Sequence, residues 1–390
     1  MPNVAPKWFR NYLLPAGVAA ALSSVILPAQ ATELGYALGF PPNSAADDAA
    51  KTFASKLAEV TDGEITVRNY AMSLLNLAEM SDGIRDGIAD IGNVLTPYFP
   101  RQYPHANMAA ELTMLLALDS RAVGRQGMAY SGAMGEFLLL HCDDCSRDFI
   151  QQQQIYLPMG ATPEYQLLCT QPIVTPDDLK GKRLRVAGAQ WSRWASHFGA
   201  TGVSLSGNEV YEALDQGVVD CTVQSNPELG NFGLKDVVTD ITTGLPGGVF
   251  SAGSMSVNLA VWQGLSTDNR SHLLKAASHL MADMTWRYQT YGDRDFEEAR
   301  DSGVNIHQPS DALTQASRAF VEEDIERIAE NYSSQYGVTN ASEKIEIMRP
   351  IVEKWIRLMD SAELENAEDL ADLYWQEVLS KVDVATYGLQ

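Results

Sequence analysis

The chain is short of the residues that build metal and disulfide frameworks: 390 residues carry only 4 Cys and 6 His. A metal-rich protein and a disulfide-dense scaffold are excluded on that count. Positive charge is scarce too, with 28 Lys and Arg against 50 Asp and Glu and a formal net charge of −22. A generic nucleic-acid binder needs a basic face to meet phosphate, and an anionic membrane surface asks for the same. Catalytic signatures are missing as well. The nearest approach to a G-x-S-x-G elbow, Gly202-Val203-Ser204-Leu205-Ser206, fails at its last position, and no G-x-G-x-x-G or Walker loop occurs. His105, His141, His197, His272, His279 and His307 show no H-x-x-H-type spacing. Asp82, Asp86 and Asp90 are spaced like a calcium loop, but Ile84 and Ile88 between them repeat at helical period, which makes the acids a solvated helix face. No cofactor and no metal are expected.

A hydrophobic content of 45% makes the chain globular, and its length of 390 residues suggests two domains. Lys7 and Arg10 precede an apolar run from Leu13 to Leu27, which ends in Pro28-Ala29-Gln30-Ala31. Basic, apolar and A-x-A regions in that order make a secretory signal peptide over residues 1–31, cleaved after Ala31. A run of about 15 residues falls short of the roughly 20 that span a bilayer. The expected location is therefore the periplasm, an oxidising compartment where cysteines can pair.

After Ala31 strand and helix patterns alternate. Glu33 to Phe40 reads as a strand, and Asn43 or Ser44 caps a helix with apolar positions Ala46, Ala50, Phe53, Leu57 and Val60. Strands over Ile65–Tyr70 and Ala89–Val94 flank a helix marked by Leu77, Met80, Ile84 and Ile88. A second α/β unit follows, with strands at Tyr165–Thr170, Arg183–Ala187, Gly202–Leu205 and Val218–Val223. Beyond Asp268 amphipathic helices dominate, with one strand expected at Gly303–His307. Gly127 to Gly135 sits in a helical pattern and reads as close helix packing. The expected fold is two α/β lobes with a hinge and a cleft: lobe I from residues 32–160 plus 250–285, lobe II from 161–249 plus 286–390.

His141-Cys142-Asp143-Asp144-Cys145 lacks a second ligand pair for zinc. A redox C-x-x-C should open a helix, whereas this run ends a helical stretch from Arg121 to Leu140. A structural disulfide Cys142–Cys145 is favoured, with Cys169–Cys221 as its companion between strands; three pairings are open to four cysteines.

Four segments together carry a family likeness: TPDDLKGKRLRVAG at residues 175–188, NEVYEALDQGVVD at 208–220, VTDGEITV at 60–67 and GIADIG at 87–92. In order and spacing, from about Thr32 to Leu280, they resemble the extracytoplasmic solute-binding proteins of TRAP transporters, the C4-dicarboxylate-binding (DctP-like) type. The resemblance implies two α/β lobes, a long helix crossing both, capture of an organic acid, and delivery to a permease of a small and a large membrane subunit. It implies that Arg185, in the K-x-R-V strand, holds the ligand carboxylate and that Asn226, after the next strand, assists. Many relatives place a second arginine before the T-P-D-D-L-K-G turn; Tyr165 stands there here.

The residues support Arg185 independently. Arg183 and Arg185 share one face of a strand, at the edge where α/β sheets bind ligands, and a guanidinium offers carboxylate a planar fork. Arg183 is expected to be exposed. Trp191 and Trp194 follow on the next helix, and Tyr98 follows a first-lobe strand; these, with Asn258, complete the candidate site. A monomer is expected. The alternatives are a periplasmic enzyme acting on small organic acids, and a ligand-binding partner of a sensor.

Overall fold

A computed structural model describes residues 31–389 of the chain. Residues 1–30 of the expected signal segment lie outside the described residues. The first unit runs β1 (Thr32–Ala37), α1 (Ala45–Val60), β2 (Ile65–Tyr70), α2 (Met80–Arg85), β3 (Ile91–Leu95), α3 (Pro104–Glu111), α4 (Gln126–Glu136), α5 (Asp143–Gln151) and β4 (Gln154–Ile155). The second runs β5 (Gln166–Cys169), β6 (Arg183–Val186), α6 (Ala189–His197), β7 (Thr201–Ser204), α7 (Val210–Asp215), β8 (Cys221–Gln224), α8 (Glu228–Asn231) and β9 (Asp240–Thr242). The chain then returns as β10 (Gly253–Asn258), α9 (Leu259–Gly264) and α10 (Thr267–Asp301). It ends in β11 (Asn305–His307), α11 (Asp311–Tyr336), α12 (Ala341–Ser361) and α13 (Ala367–Glu377).

Local chemistry sets these elements. Ser44 caps α1 by accepting from the Asp47 amide, and Ala46, Ala50, Phe53 and Leu57 bury one stripe of the helix. Pro176 opens a short 3-10 turn inside a capping box made by Thr175 and Asp178.

Two sheets result, ordered β2-β1-β3-β10-β4 and β11-β9-β5-β8-β6-β7. β1 pairs in parallel with β2 and β3, and β6 with β7 and β8, as strand–helix–strand units dictate. β10 enters the first sheet antiparallel to β3, and β5 meets β8 antiparallel in the second. Since β10 follows the second unit in sequence, the chain crosses between sheets twice, over residues 156–165 and 243–252. The crossings bond to each other: Thr162 N–H reaches the Phe250 carbonyl at 3.0 Å, and Tyr165 N–H the Gly248 carbonyl at 2.8 Å.

A third link is α10, 35 residues and so about 52 Å long. Asp283 of α10 accepts from Thr52 Oγ1 of α1 at 2.8 Å, and Asp295 packs on Gly230 of α8. One helix thus runs alongside both units.

Residues 286–390 do not all join the second lobe. α12 packs along α4, where Trp355 Nε1 donates to Glu136 at 2.6 Å, and Tyr374 of α13 donates to the Met128 carbonyl at 2.8 Å. The cause is the glycine-bearing α4, in which every residue from Gln126 to Glu136 is buried. At Gly132 a Cβ would lie 2.4 Å from the Trp355 ring.

Disulfides join Cys142 to Cys145 and Cys169 to Cys221. The second staples directly opposed residues of β5 and β8. Cys142 also N-caps α5, so the C-x-x-C run opens a helix as well as following one, contrary to the sequence expectation. Both its sulfurs are buried, at 4% and 1% exposure for the two residues.

Candidate functional site

β3 ends at Leu95, and the turn Thr96–Tyr98 carries Tyr98 over the end of the first sheet. In the second sheet β6 places Arg185 opposite Thr222 of β8 and Val203 of β7. The side chains meet between the lobes: Arg185 Nη2 donates to the Tyr98 hydroxyl at 2.8 Å. Nε donates to the Leu205 carbonyl at 3.0 Å. Neither partner is a carboxylate. Nη1 is buried with no hydrogen-bond partner, and the residue as a whole is 1% exposed. A buried guanidinium with an idle fork atom is costly unless a further acceptor completes it.

Tyr98 supplies a second donor. Its oxygen accepts from Arg185 and, at 2.8 Å, from the Gly207 amide. Both acceptor positions are then taken, leaving the phenolic O–H free to donate. Arg185 Nη1 and this O–H together suit the two oxygens of one carboxylate.

Aromatic and thioether side chains surround the pair. Tyr165, from the first crossing segment, stacks on Trp191 at 4.4 Å between ring centroids, and Phe250, from the second, lies nearly parallel to it at 6.4 Å. Phe40, Phe232, Met159 and Met284 close the remaining walls. The space left is about 30 Å³, room for about two waters. Lobe-to-lobe bonds hold it shut: Asn208 Nδ2 to the Gly39 carbonyl at 3.1 Å, the Leu77 amide to Asn208 Oδ1 at 3.3 Å, and the Ala45 amide to Asn231 Oδ1 at 3.2 Å. A second cavity, of about 230 Å³, lies beyond Ala187 and Phe250, bounded by Trp191 and by Tyr332 and Tyr336 of α11.

Of the residues expected at the site, Arg185, Tyr98 and Tyr165 line the small cavity. Trp191 stands one ring behind it, its Nε1 fixed on the Gly247 carbonyl at 3.0 Å. Asn226 occupies the turn between β8 and α8, outside the lining, with a buried Oδ1 that has no partner. Trp194 is not at the cavity: fully buried, it donates to Ser317 of α11 at 2.8 Å and packs on Phe198. Asn258 is elsewhere too, capping α9 and donating to the Ile84 carbonyl at 2.8 Å. Arg183 is exposed and paired with Asp220.

Glu228, Gln224, Phe250 and Tyr288 also belong to this lining and were not expected there. Glu228 and Gln224 flank Asn226 in the same short stretch, which was the available signal. Glu228 is 4% exposed, and burial pushes its carboxyl up to about 7, against the pull of the Asn231 amide and of Arg185.

The profile of bacterial extracellular solute-binding protein family 7 (DctP) matches residues 36–331. The chain belongs to this family. A solute-binding protein of Albidiferax ferrireducens is 29% identical to this family 7 protein over 110 residues, 28% of this chain and 32% of that relative's own length. Among solved structures, a marine-metagenome TRAP solute-binding protein specific for aromatic acid ligands, in complex with 3-hydroxybenzoate, superposes with a TM-score of 0.69 at 20% identity, covering 83% of this chain and 99% of that one. A TRAP periplasmic solute-binding protein from Bordetella bronchiseptica, with bound mandelate, gives 0.66 at 19% identity over 83% and 99% of the two chains. The fold of this family 7 protein is thus the two-lobed one those receptors share.

Proposed function

We propose that this protein is the periplasmic receptor of a TRAP-type transporter, holding a small organic acid by its carboxylate and delivering it to a membrane permease of a small and a large subunit. The observation that carries the reading is the buried Arg185 with an unpartnered Nη1 beside a Tyr98 hydroxyl free to donate. One arginine among walls that are largely apolar and aromatic, with Gln224 and Glu228 on either side of Asn226 as polar exceptions, suits a monocarboxylate with an apolar or aromatic body. The acids bound by the similar structures, 3-hydroxybenzoate and mandelate, are of that kind. A space of about 30 Å³ does not admit such an acid, so the lobes part to load it and close on it with the cavity wider than it is here.

Titration calorimetry tests the reading with 3-hydroxybenzoate, mandelate and pyroglutamate on the protein lacking residues 1–31. Binding of at least one is expected. Arg185→Ala should weaken it by about 2–5 kcal/mol, roughly 30-fold to several-thousand-fold, because truncating one partner of a desolvated charge pair strands the other. Arg185→Lys should also lose affinity, having a point charge in place of a fork. Arg183→Ala should leave affinity alone, its head group being outside on Asp220. Wild-type affinity in Arg185→Ala overturns the proposal, and chemical conversion of the bound acid would make the protein an enzyme instead.

A further inference from the structure

The mechanism of capture above leaves one charged group of the cavity unused. Glu228 opens α8 and lines the same small space as Arg185. Its Oε2 has a weak contact from Asn231 Nδ2 at 3.3 Å, and it makes no ion pair within 4 Å among the described residues. The cavity therefore contains one fixed cation and one carboxyl, both of them buried.

We propose that Glu228 is the counter-group of Arg185 in the empty cavity and takes up one proton when a monoanionic carboxylate binds. The inference rests on the carboxylate reading of Arg185. Its logic is charge balance. With Glu228 ionised, the empty cavity is neutral; an incoming carboxylate would then leave one buried negative charge in excess, at a cost of several kcal/mol. With Glu228 protonated, Arg185 and the ligand balance each other.

The surroundings allow the switch. Burial places the Glu228 carboxyl at about 7, so either form is accessible near neutrality. Arg185 of β6 faces it and favours the ionised form, while Asp295 of α10 opposes it. Asp295 is itself held by Arg294 at 2.7 Å, with Glu298 and Lys235 further out. Tyr288 of α10, Tyr165 and Tyr98 complete the set, and burial keeps the hydroxyls of Tyr288 and Tyr165 neutral. The Asn231 amide also favours the ionised form and stays in place. A ligand carboxylate on Arg185 cancels the influence of that cation and adds a repulsive one, so the Glu228 carboxyl moves upward on binding.

The sign follows. A group whose affinity for protons rises on binding makes binding tighter as pH falls, until the group is protonated in both states. Starting from about 7, the dissociation constant should weaken roughly tenfold from pH 6 to pH 8. A ligand carrying an ammonium group beside Glu228 would keep it ionised and show no uptake, so the proposal commits the site to monoanions over zwitterions.

The test is calorimetry with the tightest of 3-hydroxybenzoate, mandelate and pyroglutamate, at pH 8 in buffers of different ionisation enthalpy. Wild type should take up close to one proton per ligand. Glu228→Gln should take up none and bind with an affinity that no longer varies between pH 6 and pH 8. Asp295→Asn should retain the uptake. Circular dichroism and melting establish that each variant is folded. Arg185-dependent binding without proton uptake, or uptake that survives in Glu228→Gln, overturns this inference while leaving the carboxylate reading in place. Preference for an amino acid over its deaminated analogue overturns it equally. Failure of all three acids, or binding that does not need Arg185, overturns the carboxylate reading and this inference with it.

Discussion

Arg193 is the most exacting place to test the packing of this molecule. From α6 it reaches two other helices. Its Nε and Nη2 grip both oxygens of Asp324 on α11 at 2.7 Å, and Nη2 also meets Glu111 Oε2 of α3 at 2.7 Å. The Glu111 and Asp324 side chains are 4% and 5% exposed. Glu111 is further bonded by the Tyr332 hydroxyl, and burial raises its carboxyl above the ordinary range despite Arg193. Arg193→Met leaves two buried carboxylates facing each other with no cation. Breaking a buried pair in this way costs about 3–5 kcal/mol. Protonation caps the loss: taking a carboxyl of ordinary pKa near 4 to the neutral form at pH 7 costs about 4 kcal/mol, and about 1.4 kcal/mol less for each pH unit below that. The sign is fixed by the direction of the shift. A carboxyl raised in the folded state binds its proton more tightly there, so the variant's deficit is full at pH 7 and shrinks as pH falls towards the unfolded value. Urea titrations followed by circular dichroism, at pH 7 and pH 5, read it as a shift in midpoint at constant slope. A deficit under about 1 kcal/mol at pH 7, or one that grows towards pH 5, would refute the argument.

Two further substitutions test the fold. Gly132→Ala should destabilise by about 1–3 kcal/mol through overpacking, although alanine is the better helix former, because its Cβ would meet a Trp355 ring pinned by Glu136; a melting temperature equal to or above wild type would contradict that packing. Replacing Cys169 and Cys221 by Ala releases a bridge spanning 52 residues and should cost about 4 kcal/mol in denaturant melts, against about 2 kcal/mol for the Cys142–Cys145 pair, which spans 3; equal losses would count against the loop-entropy account.

The legible parts of this molecule were those in which local chemistry decides the outcome. The Thr175 capping box, the buried stripe of α1 and the alternation of strands with helices all follow from neighbours within a few residues. The place of Arg185 on β6, at the edge of the second sheet's cavity, was legible for a related reason: strand periodicity, a likeness to known receptors and the usefulness of a sheet edge agreed on it. What stayed hidden depends on distant partners. Trp191 and Trp194 lie three apart on α6, yet one backs the cavity and the other fills the core, because Tyr165 stands between the first and the cavity and α11 covers the second. Helical spacing cannot tell those neighbours apart. The docking of α12 on α4 likewise requires knowing that glycines flatten α4. Glu228 looks in sequence like any helix-opening acid, and only the folded turn places it across from Arg185.

The two crossing segments are bonded to one another through Thr162 with Phe250 and Tyr165 with Gly248, so they form a single ribbon. Two laced strands resist torsion more than two loose ones, so the opening proposed for loading would be a swing about the line of this strap. Tyr165 and Phe250 belong to that ribbon, so they sit near the pivot and keep their mutual spacing throughout the swing. Arg185 and Tyr98 hang from opposite leaves, and the opening proposed for loading would break their bond. On the proposed receptor reading, an arriving acid would find its aromatic bed already made and its charge clamp undone. On that reading recognition would be ordered in time, with shape tested first against a stationary surface and charge tested last by the closing one.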